Sequence, residues 1–157
     1  MTTPDAIEAV YREARDRLWW ALYAYAGDRE IASDAAAEAF ARALSAPNNI
    51  RDASAWIWRV AFRVAATELR SARARPVELE VGSEVDFEVD FEVAAVLAAL
   101  RRLPQQQRAA VVLFYLDDRP AKEIARVMGV TPSTVSVHLH RARRRLRTML
   151  GDDDDRS

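Results

Sequence analysis

The segment Pro120–Leu146, PAKEIARVMGVTPSTVSVHLHRARRRL, decides how the whole chain is read. Ile124, Ala125 and Met128 fall on one helical face. Gly129 follows, where a helix end favours a residue that tolerates positive φ. Thr131 can cap a second helix, and Pro132 suits its first position, where no N–H is needed. Val135, Leu139, Ala142 and Leu146 then recur at spacings of four, three and four, one buried stripe. On helical geometry Ser133, Val137, His140, Arg141 and Arg144 point broadly away from that stripe. The pattern predicts a helix-turn-helix whose second helix carries a polar, basic outer face suited to the major groove. An ordinary helical hairpin with a solvated charged face is the competing reading.

Charge distribution sharpens the choice. The 157-residue chain has a net charge of −1, but residues 94–150 hold 11 basic and 3 acidic residues, and residues 71–93 hold 2 and 7. A basic block beside acidic segments points to an anionic partner for that block alone. Its outer face lacks the Trp/Phe/Leu stripe of a membrane-surface helix. There is no cysteine, which excludes disulfides and thiolate chemistry. The only histidines, His138 and His140, project about 160° apart on a helix and cannot share a metal. The sequence holds no phosphate-cradling glycine loop and no recognisable Ser–His–carboxylate motif. It has no long uncharged apolar run and no leader-like start. The expectation is a cytoplasmic protein with no enzymatic activity, no cofactor, no metal and no membrane insertion.

Working outward, apolar periodicity predicts helices over 5–26, 29–45, 53–73, 92–102 and 105–116. Gly27 ends the first and Asp28 can cap the second, whose apolar anchors are Ile31, Ala35, Phe40 and Leu44. Asp34 and Glu38 lie one turn apart on it, by themselves a solvated acidic face. Asp52 can cap the third helix, whose buried side is Ile57, Val60, Ala61, Val64 and Leu69. Trp56, Trp58, Arg59, Phe62 and Arg63 crowd its first half. Aromatics interleaved with arginines suit unpaired bases and phosphates, and equally the core of a small bundle. In the fifth helix Ala109, Val112, Leu113 and Leu116 face inward. The division expected is a helical domain over 1–74, an acidic linker over 75–91, a helix-turn-helix domain over 92–150 and a disordered tail over 151–157. The linker contains the tandem repeat Asp86-Phe87-Glu88-Val89 and Asp90-Phe91-Glu92-Val93, so residues 84–93 suit either an extended segment or the start of the next helix. The fold class is all-α: two small helical domains joined by an acidic linker.

Leu103-Pro104, Glu123-Ile124-Ala125, Met128-Gly129-Val130, Thr134-Val135 and Arg141-Ala142-Arg143 appear in order. Upstream, GDREIASDAAAEAFARAL carries Asp34, Glu38 and Phe40, and AWIWRVAFRVAATELR carries Trp56, Arg59 and Ala61. This arrangement resembles the sigma-70 family of bacterial transcription initiation factors, above all its small extracytoplasmic-function group, over roughly residues 5–148. The resemblance implies two partners, core RNA polymerase and promoter DNA, with an anti-sigma protein as a third. It makes Asp34, Glu38 and Phe40 polymerase contacts. It assigns Asn49, Arg51, Trp56, Arg59 and Arg63 to melting and holding the minus-ten element. It assigns Ser133, Thr134, Ser136, Val137, His140, Arg141 and Arg144 to the minus-thirty-five element. The chain departs from the family pattern at Ala37, at Phe62-Arg63, at Thr67 and at Ser136-Val137-His138. Two other readings stay open from the residues: a helix-turn-helix regulator acting without polymerase, and a degenerate sigma-like interaction module.

Overall fold

The computed structural model describes residues 4–46, 50–73 and 91–151. These form seven helices and no strand: α1 Pro4–Ala26, α2 Arg29–Ser45, α3 Ala53–Arg73, α4 Phe91–Arg101, α5 Gln105–Tyr115, α6 Ala121–Met128 and α7 Pro132–Leu150. Most of the expected linker, residues 75–90, and of the expected tail, residues 152–157, lies outside the described residues; Phe91, Glu92 and Val93 already belong to α4. No helix among the described residues is long and apolar enough to cross a membrane.

Local chemistry sets the helix ends. Gly27 adopts φ 70° after α1, and the Asp28 side chain accepts the Ile31 N–H at 3.0 Å to start α2. Asp52 accepts the Ala55 N–H at 3.1 Å to start α3. α2 buries Ala32, Ala35, Ala36, Ala39 and Ala43, and these small side chains let it lie close against α1 and α3. Leu44 is not an anchor: it stands 63% exposed, on the face turned away from α1 and α3. α3 buries more than one stripe. Trp58 and Phe62 are core residues together with Ile57, Ala61 and Ala65, whereas Val60, Val64 and Leu69 are only partly buried. The even choice between base-stacking and core is thereby resolved for Trp58, which is 1% exposed. Leu116, expected to face inward, is 47% exposed because α5 ends at Tyr115.

In the helix-turn-helix, Gly129 takes φ 71° and ends α6, and the Val130 N–H closes on the Ala125 carbonyl at 3.0 Å. The Thr131 hydroxyl accepts the Thr134 N–H at 3.2 Å to open α7. Ile124, Ala125 and Val127 of α6 and Val135, Leu139 and Ala142 of α7 are buried together, with Leu146 partly covered.

The two halves do not stand apart. α3 packs on α6, and α1 packs on α4 and α5, so one apolar core runs through both. At the seam the Arg119 guanidinium lies 4.8 Å from the centre of the Trp58 ring. It is 8% exposed, donates to Asp117 through Nε, and donates to Glu123 Oε2 at 3.1 Å. Arg17 of α1 approaches Asp117 at 3.7 Å from the other half. Burial pushes the Asp117 carboxyl up, against the opposing pull of Arg119. Nearby, Gln105 donates to the Tyr25 hydroxyl, and Arg108 lies 5.6 Å over the Tyr25 ring.

Two outcomes test this account. A Cβ on Gly129 would meet no atom within 4 Å, so Gly129→Ala carries only the left-handed backbone cost. That cost is about 1–2 kcal/mol, read as a lower urea midpoint; an unchanged midpoint contradicts the assigned conformation. The second concerns His138, whose two ring nitrogens are buried without a hydrogen-bond partner. Burial, with a smaller push from Arg141, lowers its imidazole below the usual 6.5. As pH falls through 6.5 the unfolded chain gains a proton that the folded chain refuses, so stability present above 6.5 is lost toward the lowered folded value. His138→Gln should remove that loss, seen as a flatter dependence of Tm on pH in this window. An unaltered slope would mean that His138 is not the group responsible.

Candidate nucleic-acid interface

α7 sorts its side chains as an amphipathic helix must. With Val135, Leu139 and Ala142 inward, Ser133, Ser136, Val137, His140, Arg141 and Arg144 are exposed on the opposite side. Val137 is 45% exposed among them, an apolar side chain on an otherwise polar face. Thr134 differs from the rest of the expected set. It is half-buried, and its hydroxyl lies 2.9 Å from that of Thr131, inside the cap. Ser136 donates to the Pro132 carbonyl at 3.2 Å, so its oxygen faces out chiefly as an acceptor. Arg143 is spent on the fold: its Nε donates to the Tyr115 hydroxyl at 2.9 Å, and its guanidinium lies 5.3 Å over the Phe114 ring. His140, Arg144 and Arg147 continue beyond it as a shallow basic concavity. Arg147 was not among the expected contacts; its spacing of seven from His140 was the signal.

The residues expected at the minus-ten element divide into two places. Arg51, Trp56 and Arg59 line one cavity of about 380 Å³, closed on its other side by Arg119, Glu123, Arg126 and Val127. Arg63 is not with them. It lies one turn further along α3 and lines a separate groove with Asp34, Glu38, Arg42 and Glu68. Asn49 lies outside the described residues. The cavity's α6 wall was invisible in the sequence, because Arg119 and Arg126 are some sixty residues from the α3 groups they meet.

Asp34 and Glu38 are exposed on α2, and Glu38 accepts Arg42 Nε at 2.7 Å. Burial first, then Asp34, Asp28, Glu30 and Glu38, push the Glu68 carboxyl up, which marks this side of the molecule as an acidic face. Phe40 is 8% exposed with its ring 5.1 Å from Tyr11, edge to face, so it serves as the expected apolar anchor that holds α2 against α1.

A third surface is apolar. Trp20 of α1, Val93 and Val96 of α4, Tyr115 of α5, Leu116 just after it, and Leu150 of α7 border an open groove of about 890 Å³. No group of three or more potential metal ligands occurs among the described residues.

Comparison with known proteins follows the same outline. Residues 94–146 match the family model for sigma-70 region 4. The chain is 32% identical over 163 residues to the ECF RNA polymerase sigma factor BldN of Streptomyces coelicolor, covering 95% of this chain and 62% of BldN. It is 32% identical over 156 residues to the ECF RNA polymerase sigma factor SigL of Mycobacterium tuberculosis, covering 92% of this chain and 88% of SigL. The chain thus spans less than two thirds of BldN and most of SigL. Its fold resembles that of CnrH in complex with the cytosolic domain of CnrY, with TM-score 0.73, 21% identity, and 96% and 91% of the two chains covered. It also resembles the sigma factor RpoE in complex with the anti-sigma factor NepR from Bartonella quintana, with TM-score 0.67, 17% identity, and 91% and 97% covered. With SigL matched along nearly its whole length and region 4 matched over the helix-turn-helix, the chain belongs to the ECF group of sigma-70 family RNA polymerase sigma factors.

Proposed function

We propose that this chain binds core RNA polymerase and directs initiation at promoters, acting without enzymatic chemistry of its own. One observation carries the reading: α7 buries Val135, Leu139 and Ala142 while it exposes Ser136, Val137, His140, Arg141 and Arg144 on a helix already capped and braced for groove entry. Arg141 and Arg144 reach guanine edges or phosphates of the minus-thirty-five element, and Val137 packs on a thymine methyl. Arg51, Trp56 and Arg59 hold the minus-ten strand, Trp56 by stacking and the arginines by phosphate contact. The exposed acids Asp34 and Glu38 meet a basic surface of polymerase. The division proposed is a polymerase- and minus-ten-binding half up to about residue 74 and a minus-thirty-five half from about residue 92, joined by an acidic linker.

A protein inhibitor completes the partner set. Two solved structures of similar fold are complexes, one with the cytosolic domain of CnrY and one with the anti-sigma factor NepR. The apolar groove that Trp20, Val96, Tyr115 and Leu150 border suits the apolar face of a partner helix.

The test of the whole reading is reconstitution: core polymerase plus this chain should initiate specifically on genomic promoter fragments, and core alone should not. Asp34→Lys with Glu38→Lys should abolish co-elution with core while leaving Tm within a few degrees of wild type, since exposed helix charges contribute little to stability. A double variant that keeps wild-type core affinity removes these acids from the interface. On duplex DNA, Arg141→Ala at a base contact should cost about 1–3 kcal/mol at one position of the site. Val137→Ser should lose the preference for thymine over uracil at its contact. If the variant discriminates the two bases as wild type does, Val137 does not enter the groove.

A further inference from the structure

We propose that the cavity between α3 and α6 binds a small phosphorylated ligand, a nucleoside polyphosphate, independently of promoter DNA. Four guanidinium groups converge on this space of about 380 Å³: Arg51 and Arg59 on one side, Arg119 and Arg126 on the other. The volume sits at the small-molecule end of the usual range for ligand sites, roughly 300–1,000 Å³. Arg119 is committed to Asp117 and Glu123. Arg51, Arg59 and Arg126 make no ion pair among the described residues. Phosphate is the matching group, because guanidinium forks bind its oxygens in pairs.

The two acids at the cavity are outnumbered by its four arginines: Asp52 accepts the Ala55 N–H in capping α3, and Glu123 accepts from Arg119. Trp56, half-buried in the wall, offers a face on which one base can stack. With α6 docked, Val127 closes the far side, so the space holds a single nucleotide and not a running strand. A ligand there touches both halves of the chain and holds α3 against α6, which covers the Arg51, Trp56 and Arg59 surface while it stays bound. The proposal stands on the cavity and not on the promoter reading, and its test contains neither polymerase nor DNA.

The experiment is calorimetric titration and thermal unfolding of the full chain with GTP and with inorganic pyrophosphate. GTP should bind more tightly than pyrophosphate and raise Tm, as any ligand of the folded state does. Arg126→Ala, a change on an exposed side chain, should weaken GTP at least about tenfold, the scale of one lost charge-assisted contact. Arg126→Lys should recover part of it. Arg144→Ala, on the basic face of α7, should leave it unchanged. The proposal is overturned if neither probe binds at millimolar concentration, if Arg126→Ala has no effect, or if Arg144→Ala weakens binding as much. Equal affinity for pyrophosphate and GTP rejects the nucleotide assignment. A single-stranded oligonucleotide that binds more tightly than GTP and is equally sensitive to Arg126→Ala assigns the cavity to a strand instead.

Discussion

A guanidinium buried at the seam between two helical halves sets the geometry of everything around it. Arg119 leaves water to lie over the Trp58 ring, with Asp117 and Glu123 as its carboxylate partners. Desolvating a cation is costly, and it is tolerated where the charge is paired and its N–H groups are satisfied. Both conditions hold here, and Arg17 adds a second cation beside Asp117 from α1. Removing one partner of such a pair generally costs about 3–5 kcal/mol, because the survivor is left buried and unpaired. The seam thus seats Arg119 on Trp58 as α6 docks on α3.

That docking has a consequence for the surfaces around it. Arg51, Trp56 and Arg59, assigned by the proposed function to the minus-ten strand, face α6 across the cavity. The exposed face of α7 is left clear, as are Asp34 and Glu38 on α2. One of the two proposed nucleic-acid surfaces is thus partly covered by the other half of the chain, while the second is open. For a strand to run along α3, α6 must move away, and the energy of that step is the energy of the Arg119 seam plus the apolar contact between α3 and α6. Sequence changes at Arg119, Asp117 or Trp58 would therefore act on access to α3 without touching any proposed DNA contact.

The departures from the family pattern take on physical meaning in this frame. Phe62, where the family has arginine, is 5% exposed and packs between Tyr25 and Trp58, with ring centres 5.2 and 6.2 Å away. Arg63 then turns to the groove beside Glu38 and Glu68. His138 sits on the flank of the α7 stripe with both ring nitrogens unpartnered, so it serves packing and not readout.

Local rules were sufficient for the elements. Helix ends at Gly27 and Gly129 and starts at Asp28, Asp52 and Thr131 were legible because capping and left-handed closure depend only on near neighbours in the chain. The α7 stripe and its outward basic face were legible because the helical period fixes which residues share a side. Periodicity failed where a residue's surroundings come from another element. Leu44 and Leu116 obey the apolar spacing but stay largely exposed, whereas Trp58 lies outside the stripe assigned to the core of α3 and is buried beneath Arg119. The separation of Arg63 from Trp56, the engagement of Arg143 with Tyr115, and the meeting of Arg51 and Arg59 with Arg126 were decided only by tertiary packing. Which helices dock depends on side chains far apart in sequence finding complementary charge and volume, and no local pattern encodes that meeting.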